Sequence, residues 1–209
     1  MTSIISVVQT KGGAGKSTLA TIVASELAQG ASVLLIDADQ PQATAASWQA
    51  LRINHGASDD LSCLTCVSPA NLETLLKLNR ERYDFIVIDA PPRHSKTISV
   101  IVTASNLVLA PLAPVGAEIW AAEDLANLLG ETTTSVYFVW NRVRAHLASV
   151  QAVMSESKAE LSYPTLTTTL GQRLAYSTAL SEGLSVTQLK DKKARDETSA
   201  LITEIKGLL

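Results

Sequence analysis

Short apolar runs alternate with segments of helical periodicity along most of the chain. Five runs rich in Ile, Leu and Val have the length of strands, at residues 4–8, 33–36, 85–88, 107–110 and 136–139. Because they are apolar at consecutive positions, they are typical of parallel strands covered on both faces. Weaker strands are predicted at residues 61–67 and 165–169.

Helices are predicted between these runs, near residues 43–51, 71–80, 117–129, 146–160 and 172–180. The alternation predicts an α/β fold with a doubly wound, mainly parallel sheet flanked by helices, in one domain spanning residues 1–209. Ligands of such sheets lie beyond the carboxyl ends of the strands. Three polar segments are expected to converge there, at residues 10–18, 37–40 and 89–93.

Composition narrows the class of protein. The chain has 209 residues, 46% of them hydrophobic, and a formal net charge of −3. This content supplies a substantial core, and the charge excludes nucleic-acid binding by bulk positive charge, so a DNA site must be a local patch. Two cysteines, and the lack of a signal peptide or membrane-spanning run, predict a cytoplasmic protein.

The cysteines and tryptophans have simpler interpretations than chemistry. Cys63 and Cys66 form a C-x-x-C pair on a predicted strand, where residues three apart point to opposite faces, so we expect a buried apolar pair. The three tryptophans, at positions 48, 120 and 140, are expected to pack in or beside the core.

A glycine-rich loop joins the first strand to the first helix. The standard phosphate loop is G-x-x-x-x-G-K-[ST], and Gly15, Lys16 and Ser17 match its end. Thr10 replaces the first glycine, and Lys11 precedes a pair of glycines. The order of strand, loop, lysine with hydroxyl and helix predicts a phosphate-binding site.

The sequence K-G-G-A-G-K-S-T at residues 11–18 resembles the deviant Walker A box, K-G-G-x-G-K-[ST]-[ST], of the ParA/MinD family of P-loop ATPases. The resemblance implies that the chain binds ATP and Mg²⁺. It implies that Lys11 reaches across a nucleotide sandwich dimer to the partner's phosphates, where a cation stabilises developing charge. The implied nucleotide-binding residues of the loop are Gly12, Gly13, Ala14, Gly15, Lys16, Ser17 and Thr18.

Two acidic segments resemble further elements of that family. Residues 85–92 resemble its Walker B element, which implies that Asp89 holds Mg²⁺ together with Ser17. Residues 36–39 resemble its D-x-D-P-Q segment, which implies that Asp39 positions the attacking water and that Asp37 lies near the metal. This chain has one extra residue before Pro41. Either acid alone is also explained as a strand-end turn former or helix cap.

Two later positions also follow from the resemblance. Residues 109–118 resemble the family segment V-x-P-x-x-P-x-x-x-D, which lies at the dimer interface, with Glu118 in place of Asp. Glu118 either pairs with a charged interface group or is an exposed glutamate at a helix start. Asn141 stands where relatives use Asn for the adenine edge, and a strand-end turn is the alternative.

Relatives that bind DNA without sequence preference use basic residues in the C-terminal half. The candidates here are Arg173, Lys190, Lys192, Lys193 and Arg195. Asp191 and Asp196 lie among them, so a solvated charged helix is the alternative. The last apolar stripe, which includes Leu201 and Ile205, is expected to pack on the domain rather than to act as a membrane anchor.

These features predict a ParA-like ATPase that forms an ATP-dependent homodimer on nonspecific DNA in the nucleoid. A ParB-like protein or cargo adaptor would stimulate hydrolysis and release, and the cargo would be a plasmid, a chromosome, a carboxysome or a chemoreceptor cluster. Three alternatives stay open: a MinD-like regulator that cycles on membranes, an ATP-dependent metabolic ligase on the same fold, and a binding module that has lost hydrolysis.

Overall fold

The computed structural model describes residues 1–57, 60–92, 96–130 and 132–209. Six parallel strands form one sheet in the order β3-β2-β4-β1-β5-β6. The strands are β1 Ser3–Val7, β2 Val33–Asp37, β3 Leu61–Thr65, β4 Phe85–Asp89, β5 Leu107–Leu112 and β6 Ser135–Trp140. The predicted α/β fold with a doubly wound parallel sheet is confirmed.

Eight α-helices lie among the described residues. They are α1 Lys16–Leu27, α2 Thr44–Asn54, α3 Pro69–Asn79, α4 Lys96–Ala104, α5 Gly116–Leu129, α6 Ala148–Ser157, α7 Leu174–Glu182 and α8 Lys192–Gly207. A short 3-10 helix, Val186–Gln188, precedes α8. Within the described residues, no helix is both long and apolar enough to cross a membrane.

Consecutive strand residues face opposite layers of the core. Ile5 and Leu35 pack in one cluster with α1, α7 and α8, whereas Ile4 and Leu34 pack in the other with α3, α4 and α5. This burial on both faces explains why the strand sequences are apolar without alternation. The apolar stripe of α8 belongs to the first cluster, and Leu201 and Ile205 are fully buried.

The cysteines lie as predicted on opposite faces. Cys63 packs against the first cluster, and Cys66 belongs to the second. Burial raises the pKa of the Cys63 thiol to about 12, helped by the charges of Asp37 and Asp89, so this thiol stays protonated and unreactive near neutral pH. The tryptophan prediction is wrong at one position: Trp48 and Trp140 are buried, but Trp120 is 70% exposed on α5.

The predicted strand at residues 165–169 is also wrong. Thr165 makes an isolated bridge with Phe138, and the chain then leaves the strand geometry. The carboxylate of Glu204 on α8 accepts the backbone N–H groups of Thr167 and Thr168, at 2.6 and 2.8 Å. Because a ladder requires backbone hydrogen bonds between strands, this side-chain contact ends the pairing.

Candidate nucleotide-binding site

The phosphate loop joins β1 to α1 at the carboxyl edge of the sheet. Its start is fixed by Gln9, whose side chain is fully buried, accepts from Thr10 N at 2.8 Å and donates to Pro111 O at 3.2 Å. Its end is Gly15, which has φ +99° and directly precedes α1. The unpaired N–H groups of a helix start attract anions, so the loop is built for phosphate.

Gly15 is required for two independent reasons. A positive φ of this size is a conformation that side chains with a Cβ rarely adopt. A Cβ at this position would also lie 2.4 Å from Asn141 Nδ2. The loop is therefore packed directly against the end of β6, where Asn141 Nδ2 donates to Ala14 O at 3.2 Å.

The two lysines of the loop have different surroundings. Lys16 is 5% exposed; its burial lowers the pKa of the ammonium, and the charges of Asp89 and Asp39 oppose that shift. The side chain of Lys11 is 40% exposed. Its Nζ lies 2.6 Å from Oε1 of Glu118, which is buried at the start of α5. Glu118 thus pairs with a cation within its own chain and is not an exposed helix-start residue.

The sheet register places the acidic residues in one row. Asp37 at the end of β2 pairs in register with Asp89 at the end of β4, and Asp89 pairs with Val7 at the end of β1. The convergence predicted for residues 10–18 and 37–40 is present, together with Asp89. Arg93, the last residue of the predicted 89–93 segment, lies outside the described residues.

Asp37 and Asp89 use their carboxylates differently. Asp37 Oδ1 accepts from Asp39 N at 3.0 Å, and Oδ2 accepts from Ala46 N at 2.9 Å in the first turn of α2. Both oxygens therefore support the backbone, as the alternative of a turn former predicts. Both oxygens of Asp89 are buried and have no hydrogen-bond partner among the described residues.

The buried position of Asp89 changes its titration. Burial raises the pKa of this carboxyl to about 7, and the negative charges of Asp37 and Asp39 add to the effect. The neighbouring Ser17 hydroxyl and the Lys16 ammonium act in the opposite direction and lower the pKa. An orphaned buried carboxylate next to a hydroxyl is a donor set of hard oxygens, which fits Mg²⁺. Asp89 and Ser17 would hold this ion, with nucleotide phosphate completing its shell.

Asp39 is also buried, and Oδ1 has no hydrogen-bond partner among the described residues. Burial raises the pKa of this carboxyl and Asp37 adds to the shift, whereas Lys16 lowers the pKa. The N–H of Asp39 donates to Asp37 Oδ1, so the start of the lengthened segment is anchored to the end of β2. The segment ends at Ala43, which has a positive φ of 47° and directly precedes α2.

A cavity of about 1050 Å³ opens beside the loop, and its lining includes Asn141, the predicted adenine contact. Gly15 and Thr18 of the loop and residues 171–173 also line it. Asn141 Oδ1 accepts from Arg142 N at 2.8 Å, so this side chain also forms a strand-end turn. An adenine contact by Asn141 stays a prediction.

The predicted DNA-binding residues fall into two groups. Lys190, Lys192, Lys193 and Arg195 are exposed around the start of α8, which is capped by Asp191. We call these four residues the basic cluster. Arg173 is separate from it: its guanidinium forms an ion pair with Glu197, with Nε 3.0 Å from Oε2 and Nη2 2.5 Å from Oε1. Of the five, Arg173 is therefore the least available for phosphate.

Sequence reasoning missed Gln9 and Glu197. Gln9 fixes the start of the phosphate loop, and its signal is a polar residue at the end of a buried strand. Glu197 is seven residues before Glu204, a spacing that places both on one face of α8. Charged residues on a terminal helix are usually solvated, so this spacing alone does not reveal the contacts.

Comparison with known proteins identifies the class. The family model of the CobQ/CobB/MinD/ParA nucleotide binding domain matches residues 5–186. The chain belongs to this family, whose ParA and MinD members are ATPases. The predictions of this family and of an ATPase are confirmed.

Particular relatives match over nearly the whole chain. The Maintenance of carboxysome distribution protein A of Halothiobacillus neapolitanus is 27% identical, over 96% of this chain and 95% of that protein. The protein of the same name from Gloeobacter kilaueensis is 30% identical, over 92% of this chain and 88% of that protein.

Solved structures share the fold. The cell division ATPase MinD of Pyrococcus furiosus superposes with a TM-score of 0.80 at 20% identity, covering 100% of both chains. A complex of Cyanothece McdA with ATP superposes with a TM-score of 0.78 at 17% identity, covering 98% of this chain and 96% of that one.

Proposed function

We propose that this ATPase is a nucleotide-dependent switch that positions cargo on DNA. ATP with Mg²⁺ closes a homodimer, the dimer binds DNA without sequence preference, and a partner protein stimulates hydrolysis and release. The observation that carries the proposal is the second lysine: Lys16 is buried near Asp89 and Asp39, whereas Lys11 is half-exposed. A half-exposed lysine can reach a second chain by leaving Glu118, its partner within the same chain.

The residues of the site divide the chemistry among them. Lys16 and the loop N–H groups neutralise the phosphates, and Ser17 and Asp89 hold the metal ion, which would supply Lewis-acid stabilisation of the phosphates. Asp39 has a buried oxygen without a partner among the described residues, so it is suited to orient the attacking water. Lys11 of the second chain would stabilise the charge that develops on the transferred phosphoryl group.

The proposed DNA surface is the basic cluster. Its four side chains are exposed, and three of them lie on α8, whose apolar stripe is packed in the core. Clustered Lys and Arg without base-reading geometry are suited to phosphates rather than to a particular sequence. This explains how a chain of net charge −3 would bind DNA at a local patch.

The relatives favour one class of cargo. Two proteins that match nearly the whole chain are named for carboxysome distribution. We therefore propose a carboxysome or a similar protein body as the first cargo to test, with its adaptor as the stimulating partner. A plasmid is the next cargo, since a ParA of Rhizobium radiobacter is 24% identical over 91% of this chain.

The test is duplex-DNA binding with ATP, ADP or no nucleotide, at two salt concentrations, with the oligomeric state measured by light scattering. We expect binding only with ATP, only by the dimer, and weaker at the higher salt. Lys16→Ala is the control: because it removes nucleotide binding, it should abolish both the ATP-dependent dimer and the DNA binding. An ATP-dependent dimer that does not bind DNA but pellets with anionic liposomes would contradict the proposal and favour a membrane-cycling regulator.

A further inference from the structure

The segment between α6 and α7 ends at residues 171–173, which line the nucleotide cavity and which we call its wall. Side chains of α8 contact this segment. Residues 164–172 run beside the end of β6, with hydrogen bonds from Leu170 N to Trp140 O at 2.8 Å and from Gln172 N to Val143 O at 3.0 Å. Beyond these bonds, two carboxylates of α8 contact the segment, those of Glu197 and Glu204.

Glu197 makes four contacts at the cavity wall. It accepts from Gly171 N at 2.9 Å, from Arg173 Nε at 3.0 Å and Nη2 at 2.5 Å, and from the hydroxyl of Tyr176 at 2.6 Å. Gly171, Arg173 and Tyr176 all line the nucleotide cavity. The glutamate itself is behind the wall and does not line the cavity.

The packing around Glu197 leaves little freedom. A Cβ at Gly171 would lie 3.1 Å from both Arg173 and Glu197. Burial disfavours the charge of Glu197, but the hydrogen bonds from Arg173, Tyr176 and Gly171 outweigh it and hold the pKa of this carboxyl below its usual range. The carboxylate is thus ionised and fully engaged near neutral pH, and a bidentate contact of this kind fixes direction as well as distance.

We propose that Glu197 is a positioning residue for nucleoside recognition: it holds residues 171–173 where they form the wall against the base and ribose of ATP. The inference deepens the proposed function, because it rests on ATP binding in this cavity. The phosphates would be bound by Lys16 and by the loop, which lines the cavity at Gly15 and Thr18. Loss of Glu197 should therefore weaken contacts to the nucleoside and spare contacts to the phosphates.

Glu204 provides a matched control on the same helix. Its carboxylate also accepts two backbone N–H groups of the same segment, from Thr167 and Thr168. Those residues do not line the cavity. Glu204→Gln should thus perturb the same segment to a similar degree without moving the wall.

The experiment measures the dissociation constants of ATP and of inorganic tripolyphosphate by calorimetry, with Mg²⁺, for the wild-type chain, Glu197→Gln and Glu204→Gln. For Glu197→Gln we expect the constant of ATP to rise about tenfold, roughly the effect of losing one hydrogen bond to a charged group. The constant of tripolyphosphate should change less than about twofold. For Glu204→Gln, both constants should change less than about twofold.

Three results would overturn the inference: equal weakening of ATP in both variants, equal weakening of ATP and tripolyphosphate in Glu197→Gln, or no change. If Glu197→Gln does not fold, Tyr176→Phe removes the hydroxyl, which donates to Glu197 at 2.6 Å and lies 3.5 Å from Ala194 O. The same split between the two ligands is then expected at smaller amplitude. A wild-type chain that binds neither ligand would contradict the nucleotide site and the inference together. If the wild-type chain binds both ligands and the two variants have the same dissociation constants as each other, only the inference about Glu197 is contradicted.

Discussion

Asp89 is the proposed Mg²⁺ ligand, and the burial of its carboxylate should lower the stability of the protein. Its carboxylate is fully buried, and neither oxygen has a hydrogen-bond partner among the described residues. Its pKa is raised from 3.8 to about 7, first by burial and then by neighbouring negative charge. We therefore predict that Asp89→Asn, which cannot ionise, makes the nucleotide-free chain more stable than the wild type.

The magnitude follows from linkage between protonation and folding. Below pH 3.8 the carboxyl is protonated in both the folded and unfolded chains, so ionisation costs nothing. Between pH 3.8 and about 7 the unfolded chain loses this proton and the folded chain keeps it, so the free energy of unfolding falls as pH rises. At about 1.4 kcal/mol for each pH unit, the cost is about 2 kcal/mol at pH 5.5 and about 4 kcal/mol at pH 8.

The assay is urea unfolding of both chains at pH 5.5 and pH 8, in EDTA and without nucleotide. The free energy of unfolding of Asp89→Asn should exceed that of the wild type at both pH values, and the difference should be about twice as large at pH 8 as at pH 5.5. Asp37→Asn is the matched control: both oxygens of Asp37 accept backbone N–H groups, so this change should destabilise the chain. The reasoning is refuted if Asp89→Asn is no more stable at pH 8, or if its advantage does not grow with pH.

Further predictions concern the loop and the two charged surfaces. Gly15→Ala should cost about 1–3 kcal/mol in urea unfolding and weaken ATP binding, because it forces a left-handed Ala against Asn141. A Cβ at Gly12 would meet open space, so Gly12→Ala should leave the free energy of unfolding nearly unchanged. A loss of stability equal to that of Gly15→Ala would contradict this. Lys11→Ala should bind ATP normally but stay monomeric in light scattering, and a normal ATP dimer would contradict a role across the interface. A plot of log K for DNA against log salt has a negative slope. Alanine at Lys190, Lys192 and Lys193 should make this slope shallower by about 3 per chain. Alanine at Lys206, in the last turn of α8, is the control, and an unchanged slope in the triple variant would place the DNA surface elsewhere.

The strands and the phosphate loop could be predicted because their patterns are local. A strand buried on both faces is apolar at consecutive positions, and a phosphate loop is a contiguous motif. Helix α4 was not predicted, since its sequence KTISVIVTA is rich in β-branched residues that favour strands. Packing of Ile98, Ile101 and Val102 in the core outweighs that preference.

Contacts between distant residues could not be predicted in this way. The pairing of Lys11 with Glu118 joins positions 107 residues apart, and nothing in either segment specifies the other. The contacts of Glu204 with residues 167 and 168 likewise depend on where α8 packs. The cavity wall depends in the same way on Glu197, whose contacts with Gly171, Arg173 and Tyr176 form only once α8 is packed on the domain.

Lys11 and Glu118 form an ion pair within one chain, and this pair must open before Lys11 can contact a second chain. In the proposed dimer both lysines leave their glutamates, so the cost of opening the pair enters the dimer's dissociation constant twice. Lys11 is partly exposed, so dissolved ions screen the pair and reduce that cost. The same ions weaken contacts to DNA phosphates. The amount of dimer on DNA should therefore pass through a maximum at intermediate ionic strength.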